Sequence, residues 1–148
     1  MLQRTDDGYN VLVQDGLGGI DTFPSYADHP NILVQLYNKD GTSKMDPLRG
    51  VPLKSTAAGR YQQMYKWWPV YKQQLKLADF GPVSQDLVAI QHLRECKALD
   101  FFQQGKPTSA FVQANKIWAS LPGSPYGQPT KTMKDVVAAY QRAGGQIA

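Results

Sequence analysis

A change of texture near residue 54 constrains the fold of this chain more than any other feature. From Gly8 to about Leu53, short β-type runs stand between Gly, Asp, Asn and Pro residues: Tyr9 to Val13 alternates, and Ile32-Leu33-Val34-Gln35-Leu36-Tyr37 is a second run. Asn38-Lys39-Asp40-Gly41 supplies an Asp-Gly turn, and Thr42 to Pro52 reads as an exposed connection. From Ser55 onward the apolar spacing becomes helical. Tyr61, Met64, Tyr65, Trp68 and Leu75 fall on one face, with Pro69 ending or kinking that helix near Trp67 and Trp68. Ser84 is placed to cap a helix carrying Leu87, Val88, Ile90 and Leu93, which continues toward Phe101 and Phe102 until Gly105 stops it. Thr108 or Ser109 caps the next, with Phe111, Ile117, Trp118 and Leu121 inward and Pro122-Gly123 as terminator. Thr132-Met133-Lys134-Asp135 has capping-box spacing ahead of Val136, Val137 and Tyr140, and Gly144-Gly145 closes the last helix. A β-rich lobe (8–54) followed by a helical lobe (55–148) predicts a single α+β domain, with a cleft at the junction as the natural ligand site.

Composition supports a folded, water-soluble chain. Its 148 residues are enough for one core, and 42% hydrophobic against 19% charged residues is unlike the signature of disorder. No apolar run approaches the roughly 18 residues of a membrane span. Met1 to Asp7 lacks the basic-then-apolar layout of a signal peptide, so synthesis in a cytoplasm without export by that route is expected. The single cysteine, Cys96, rules out an internal disulfide.

The net charge of +4 arises entirely after residue 105, where Lys106, Lys116, Lys131, Lys134 and Arg142 face only Asp135. A basic segment of this kind suits an anionic polymer or surface, or is simply a solvated face.

Cofactor chemistry finds little support. Gly16-Leu17-Gly18-Gly19 lacks the third spaced glycine of a dinucleotide fingerprint, and Gly41-Thr42-Ser43-Lys44 lacks phosphate-loop order. His92 and Cys96 stand four apart on a predicted helix, but with His29 the only other histidine a zinc site is not expected, and no third group completes a nucleophile pair. No metal and no cofactor are therefore predicted. Carboxylates remain. Glu95 is the only glutamate and lies among Arg94 and Lys97, as a surface residue would; Asp6, Asp7, Asp15, Asp21 and Asp28 crowd the β-rich part, as sugar-binding groups or turn formers. Tyr9, Tyr26, Tyr61 and Tyr126 beside loop motifs are plausible platforms for sugar rings, or packing residues.

Six ordered segments give these fragments a context: Gly8-Tyr9-Asn10-Val11-Leu12-Val13, Tyr26-Ala27-Asp28-His29-Pro30, Ser55-Thr56-Ala57-Ala58-Gly59-Arg60-Tyr61-Gln62, Trp67-Trp68, Trp118-Ala119-Ser120-Leu121-Pro122-Gly123 and Tyr126-Gly127-Gln128. With them, and through Gly144-Gly145, the chain resembles the lambdoid-phage endolysins. The resemblance implies a lysozyme-like fold with a small sheet lobe and a larger helical lobe. It implies a lytic transglycosylase or muramidase that breaks the bond between N-acetylmuramic acid and N-acetylglucosamine in peptidoglycan. One glutamate first protonates the leaving oxygen and then takes the proton of the muramoyl C6 hydroxyl as it attacks the anomeric carbon. It implies further that Ser55, Tyr61 and Gln62 line the groove, that Tyr9 and Asp28 act from the sheet side, that Tyr126 and Gln128 act from the helical lobe, and that Trp67, Trp68 and Trp118 are core. The partner expected is the peptidoglycan glycan strand, with no nucleic acid. Lys131, Lys134 and Arg142 on the last helix suit an anionic outer membrane surface, although ordinary docking of that helix on the domain is the simpler expectation.

The family glutamate of this resemblance lies in a Glu-Gly-Thr motif on an N-terminal helix, upstream of the segment matching Tyr9-Asn10-Val11, and no such motif occurs here. Three accounts fit: the chain is an N-terminally shortened form that keeps the groove, Asp6 or Asp7 substitutes as the acid, or the chain is a non-catalytic glycan-binding module. Retention of every other motif favours the first. Asn10 also stands where the family commonly has aspartate.

Overall fold

The run that follows His29 becomes the sheet. In the computed structural model, which describes residues 7–148, β1 (Val34–Gln35) pairs antiparallel with β2 (Lys54–Ser55) in the register Val34↔Ser55 and Gln35↔Lys54. Asp6, considered above as a substitute acid, lies outside the described residues. Asp40-Gly41 makes the expected turn: Gly41 takes φ 82°, and Asp40 Oδ1 accepts from the Thr42 backbone N–H at 3.0 Å and from its hydroxyl at 2.6 Å. The stretch Thr42 to Pro52 is more than a connection. It folds back as a second ribbon, with Met45 bridging Pro52, the Leu53 N–H donating to the Lys44 carbonyl at 2.7 Å and the Lys44 N–H to the Leu36 carbonyl at 2.9 Å. Backbone groups that a bare loop would leave to water are paired in this way. Tyr9 to Val13, by contrast, forms no regular strand; Val11 bridges Thr22 and Leu12 bridges Ala58, each for a single residue.

Two compact units divide the chain, residues up to Val88 and residues from Ala89 onward. The first is centred on Leu12, Phe23, Ala58, Trp68, Phe80 and Val88, with Tyr26, Val34, Tyr65, Tyr71, Leu75 and Leu77 packed around them. His29 sits inside this cluster, its ring centroid 4.6 Å from that of Phe80. Its Nε2 lies 2.8 Å from the Gln63 carbonyl and its Nδ1 accepts from the Asn31 N–H at 3.1 Å, so the ring is neutral with the proton on Nε2. Burial holds its pKa below the ordinary 6.5, and the Gln63 carbonyl and the Asp28 charge oppose that only in part.

Tyr61 to Met64 is not helical. Ala58 bridges Gln63, and Gln62 at φ 54° turns the chain between them. A 3-10 turn at Tyr65–Trp67 leads into α1 (Trp68–Gln74), where Pro69 occupies the first turn. An N–H is dispensable there, so the proline starts a helix rather than ending one. The same geometry separates the two tryptophans. Trp68 is 1% exposed, whereas Trp67, expected in the core, is 54% exposed with the Lys66 ammonium 5.2 Å from its ring.

Ser84 lies inside α2 (Pro82–Glu95) and not at its cap: its hydroxyl donates to Asp79 Oδ1, which also accepts from the Gly81 N–H, both at 2.9 Å. The helix does not run on to Phe102. Lys97 takes φ 62°, and α3 (Leu99–Gln103) begins after that break and stops at Gly105, which takes φ 68°. Pro107, not Thr108 or Ser109, opens α4 (Pro107–Ala114). That helix ends well before Leu121, and the Asn115 side-chain amide donates to the Pro122 carbonyl at 3.0 Å to hold the turns that follow. Ile117, expected inward, is 37% exposed.

Ala98, Ala110 and Ala114 form the buried centre of the second unit, ringed by Leu93, Cys96, Phe101, Phe102, Trp118 and Leu121. Three alanines at the centre let α3 and α4 approach closely. The helix α5 (Met133–Arg142) carries the predicted capping box, Thr132 Oγ1 accepting from the Asp135 N–H at 3.1 Å. It docks on α4, and Tyr140 stacks on Phe102 at 5.4 Å between centroids.

Candidate functional site

Three segments of the first unit converge on one carboxylate oxygen. Asp86, on the second turn of α2, accepts at Oδ1 from the Tyr61 hydroxyl at 2.7 Å and from the Tyr9 hydroxyl at 3.0 Å. The two rings meet edge to face at 6.5 Å, and the Arg60 guanidinium lies 5.0 Å from the Tyr9 centroid. Tyr61 is therefore a poor acid. Burial pushes its hydroxyl well above the ordinary tyrosine value, and the hydrogen bond to Asp86 raises it further.

Gln85, the neighbour of Asp86, fastens the same segments through their backbone. It is 3% exposed, and its Oε1 accepts from the Arg60 N–H at 2.9 Å while its Nε2 donates to the Tyr9 carbonyl at 3.0 Å and the Phe80 carbonyl at 2.8 Å. Gly59 allows this approach. It takes φ 80°, and a Cβ there would overlap the Gln85 amide.

Of the residues predicted to line a groove, the structure thus brings Tyr9 and Tyr61 together. Ser55 ends β2, where its Oγ accepts from the Ala57 N–H at 3.1 Å. Gln62 closes its own turn by donating from Nε2 to the Gly59 carbonyl at 2.9 Å. Asp28 is an anchor: it accepts from the Trp68 indole N–H at 2.6 Å and pairs with Lys72 at 3.1 Å. Burial alone would raise its carboxyl, but the Trp68 bond, the His29 N–H and Lys72 together hold it below the usual carboxylate range. Tyr126 and Gln128 belong to the second unit. Both are exposed, and the Tyr126 hydroxyl donates to the Lys116 carbonyl at 2.6 Å.

Asp86, Gln85 and Arg60 escaped the sequence reading. A signal was present for Asp86: its neighbours three and four positions away, Pro82, Val83, Ala89 and Ile90, offer no cation or donor side chain, so its partners had to come from elsewhere in the fold.

Asp7, considered as a substitute acid, is ill-suited to supply a proton. Asp7 accepts from the Tyr26 hydroxyl at 2.6 Å and from the Tyr9 and Asn10 N–H groups, and the Tyr26 bond is the main reason its carboxyl is held below the usual range. A general acid needs the opposite shift. Glu95 is exposed on the last turn of α2 and accepts from the Gln91 amide at 3.0 Å. Among the described residues no group of three His, Cys, Asp or Glu side chains is placed to hold a metal ion, and no helix is long and apolar enough to cross a membrane.

The family model named Endolysin matches residues 1–147. The chain belongs to the endolysin family. The endolysin of Escherichia phage P2 is 43% identical over 93% of this chain and 79% of its own length, and the endolysin of Escherichia phage lambda is 41% identical over 98% and 81%. The fold agrees. A solved structure of bacteriophage lambda lysozyme complexed with a chitohexasaccharide superposes with a TM-score of 0.80 at 40% identity, covering 99% of this chain and 84% of that one. A second structure, lysozyme from bacteriophage lambda, gives 0.76 at 38% identity over 99% and 84%. The α+β, lysozyme-like reading of this endolysin-family chain holds.

Proposed function

We propose that this chain is a phage endolysin that binds the glycan strands of peptidoglycan and cleaves the bond between N-acetylmuramic acid and N-acetylglucosamine. Its membership of the endolysin family across nearly the whole chain carries this reading, and the chitohexasaccharide complex of the similar lysozyme supports a glycan as ligand. Tyr9 and Tyr61, locked together through Asp86, are the sugar-facing platform: their hydroxyls are fixed in direction, so a sugar meets them without an ordering cost. Arg60 beside Tyr9 adds a donor for the lactyl or acetamido oxygens of a muramoyl residue. Transglycosylation, the chemistry that the family resemblance implies, needs one acid/base carboxyl, a role that none of the residues placed in the site above fills, and a muramoyl C6 hydroxyl held for attack.

Digestion of purified peptidoglycan followed by mass analysis of the products tests the proposal. Anhydro-muramoyl products are expected. Reducing ends would assign hydrolysis instead, and retained binding with no release of fragments would assign the chain to glycan capture. A secondary role for α5 as a contact with an anionic outer surface would rest on Lys134 and Arg142; lysis applied from outside, lost on neutralising both while digestion of isolated peptidoglycan persists, would support it.

A further inference from the structure

The second ribbon of the first unit encloses a groove that the glycan platform does not use. Leu33, Gln35, Asp46, Arg49, Val51, Pro52, Leu53 and Lys54 bound a volume of about 440 Å³, within the range of roughly 300–1,000 Å³ typical of small-ligand sites. Its apolar walls are not core. Leu33, which immediately precedes β1, is 59% exposed, and Val51, whose carbonyl accepts from the Asp46 N–H at 2.8 Å, is 48% exposed. Exposed apolar side chains on fixed backbone in a concavity mark a contact surface.

The charges are sided. Arg49 and Lys54 face the groove and, among the described residues, neither is in an ion pair. The one carboxylate, Asp46, turns its Oδ1 to the Leu48 and Arg49 N–H groups at 2.8 and 3.1 Å, so that oxygen is already committed to the turn. A ligand suited to this groove therefore carries carboxylates for the two cations and small apolar groups for Leu33, Val51 and Pro52. A neutral glycan strand offers acetamido methyls but no carboxylate for the two cations.

We propose that this groove binds the acidic stem peptide attached to the muramoyl lactyl group of peptidoglycan, whose alanyl methyls and D-glutamyl and diaminopimelyl carboxylates match the two kinds of surface. The inference rests on the peptidoglycan reading above and narrows it: the enzyme recognises the peptide substituent of the strand as well as its glycan.

Titration of the isotopically labelled full chain with the free tetrapeptide L-Ala-γ-D-Glu-diaminopimelyl-D-Ala, followed by amide chemical shifts, tests this directly. Shifts at Leu33, Gln35, Val51 and Lys54 are expected, with affinity lowered at least tenfold in Arg49→Glu/Lys54→Glu, whose exposed positions leave the melting temperature within about 2 °C of the parent. No shift at these amides at millimolar peptide, or equal affinity in the charge-reversed variant, would overturn it. Chitohexaose titrated into the same sample separates the two ideas: glycan binding without peptide binding removes only the groove, and peptide binding with neither glycan binding nor fragment release removes only the enzyme.

Discussion

Replacing Gln85 by leucine tests whether one buried amide holds the site together. Leucine is close in volume but can neither accept from the Arg60 N–H nor donate to the Tyr9 and Phe80 carbonyls. Three net hydrogen bonds at about 1 kcal/mol each, plus the cost of leaving buried partners unpaired, come to about 4–6 kcal/mol. The more apolar side chain returns about 1–2 kcal/mol by burial. The net loss of about 2–5 kcal/mol corresponds, at roughly 2–4 °C per kcal/mol for a chain of this size, to a fall in melting temperature of roughly 5–20 °C. Differential scanning calorimetry measures it, and hydrogen exchange at the Arg60 amide reports the particular bond. Gln85→Glu should be no rescue, because a carboxylate keeps the acceptor for Arg60 but repels both carbonyls. A fall of less than about 2 °C in Gln85→Leu, with the Arg60 amide still protected, would refute the reasoning.

Other consequences are open to simple measurement. In a spectrophotometric titration Tyr61 should resist ionisation well above the ordinary tyrosine value, and Asp86→Asn should bring its transition to lower pH by removing the negative charge beside it; an unchanged curve would count against the shared hydrogen bond. His29 and His92 are both held below the ordinary 6.5, chiefly by burial. Above that pH both states are neutral; below it the unfolded chain takes up protons that the native one refuses. Stability should therefore fall as pH drops from about 6.5, by up to about 1.4 kcal/mol per unit for His29, and level off below the native pKa, whereas a melting temperature constant from pH 7.5 to 5 would contradict this. Thr132→Ala removes the capping box of α5 and should cost about 1 kcal/mol in thermal unfolding, with Thr132→Ser restoring most of it.

Features whose cause lies within a few residues were legible in the sequence. The Thr132 cap, the Asp40-Gly41 turn and the stop at Gly105 each depend on local chemistry and stand where expected. The break at Lys97 was not, because Cys96-Lys97-Ala98 contains none of the residues that ordinarily mark a left-handed position; packing of Ala98 at the centre of the second unit accompanies it. The Trp67-Trp68 pair shows the same limit. Either ring suits a core, and only the phase of a 3-10 turn entering an α-helix decides which one is buried. At the site, motif resemblance selected Tyr9 and Tyr61, but not the residue that joins them. Asp86 lies 77 and 25 positions away from its two donors, a separation over which no spacing rule operates.

The adjacency of Gln85 and Asp86 bears on how this sequence can vary. One side chain fixes the backbone of the tyrosine segments and the next fixes their hydroxyls, so both depend on the rotational phase of a single helical turn. An insertion or deletion between Pro82 and Gln85 would rotate that turn by about 100° and disengage both at once. Stabilising substitutions elsewhere could recover a folded chain, but not the aim of the two hydroxyls. In the drift of such genes, the start of this helix should tolerate exchanges of side chain on its outer face, at Val83 and Leu87, far more readily than any change of length.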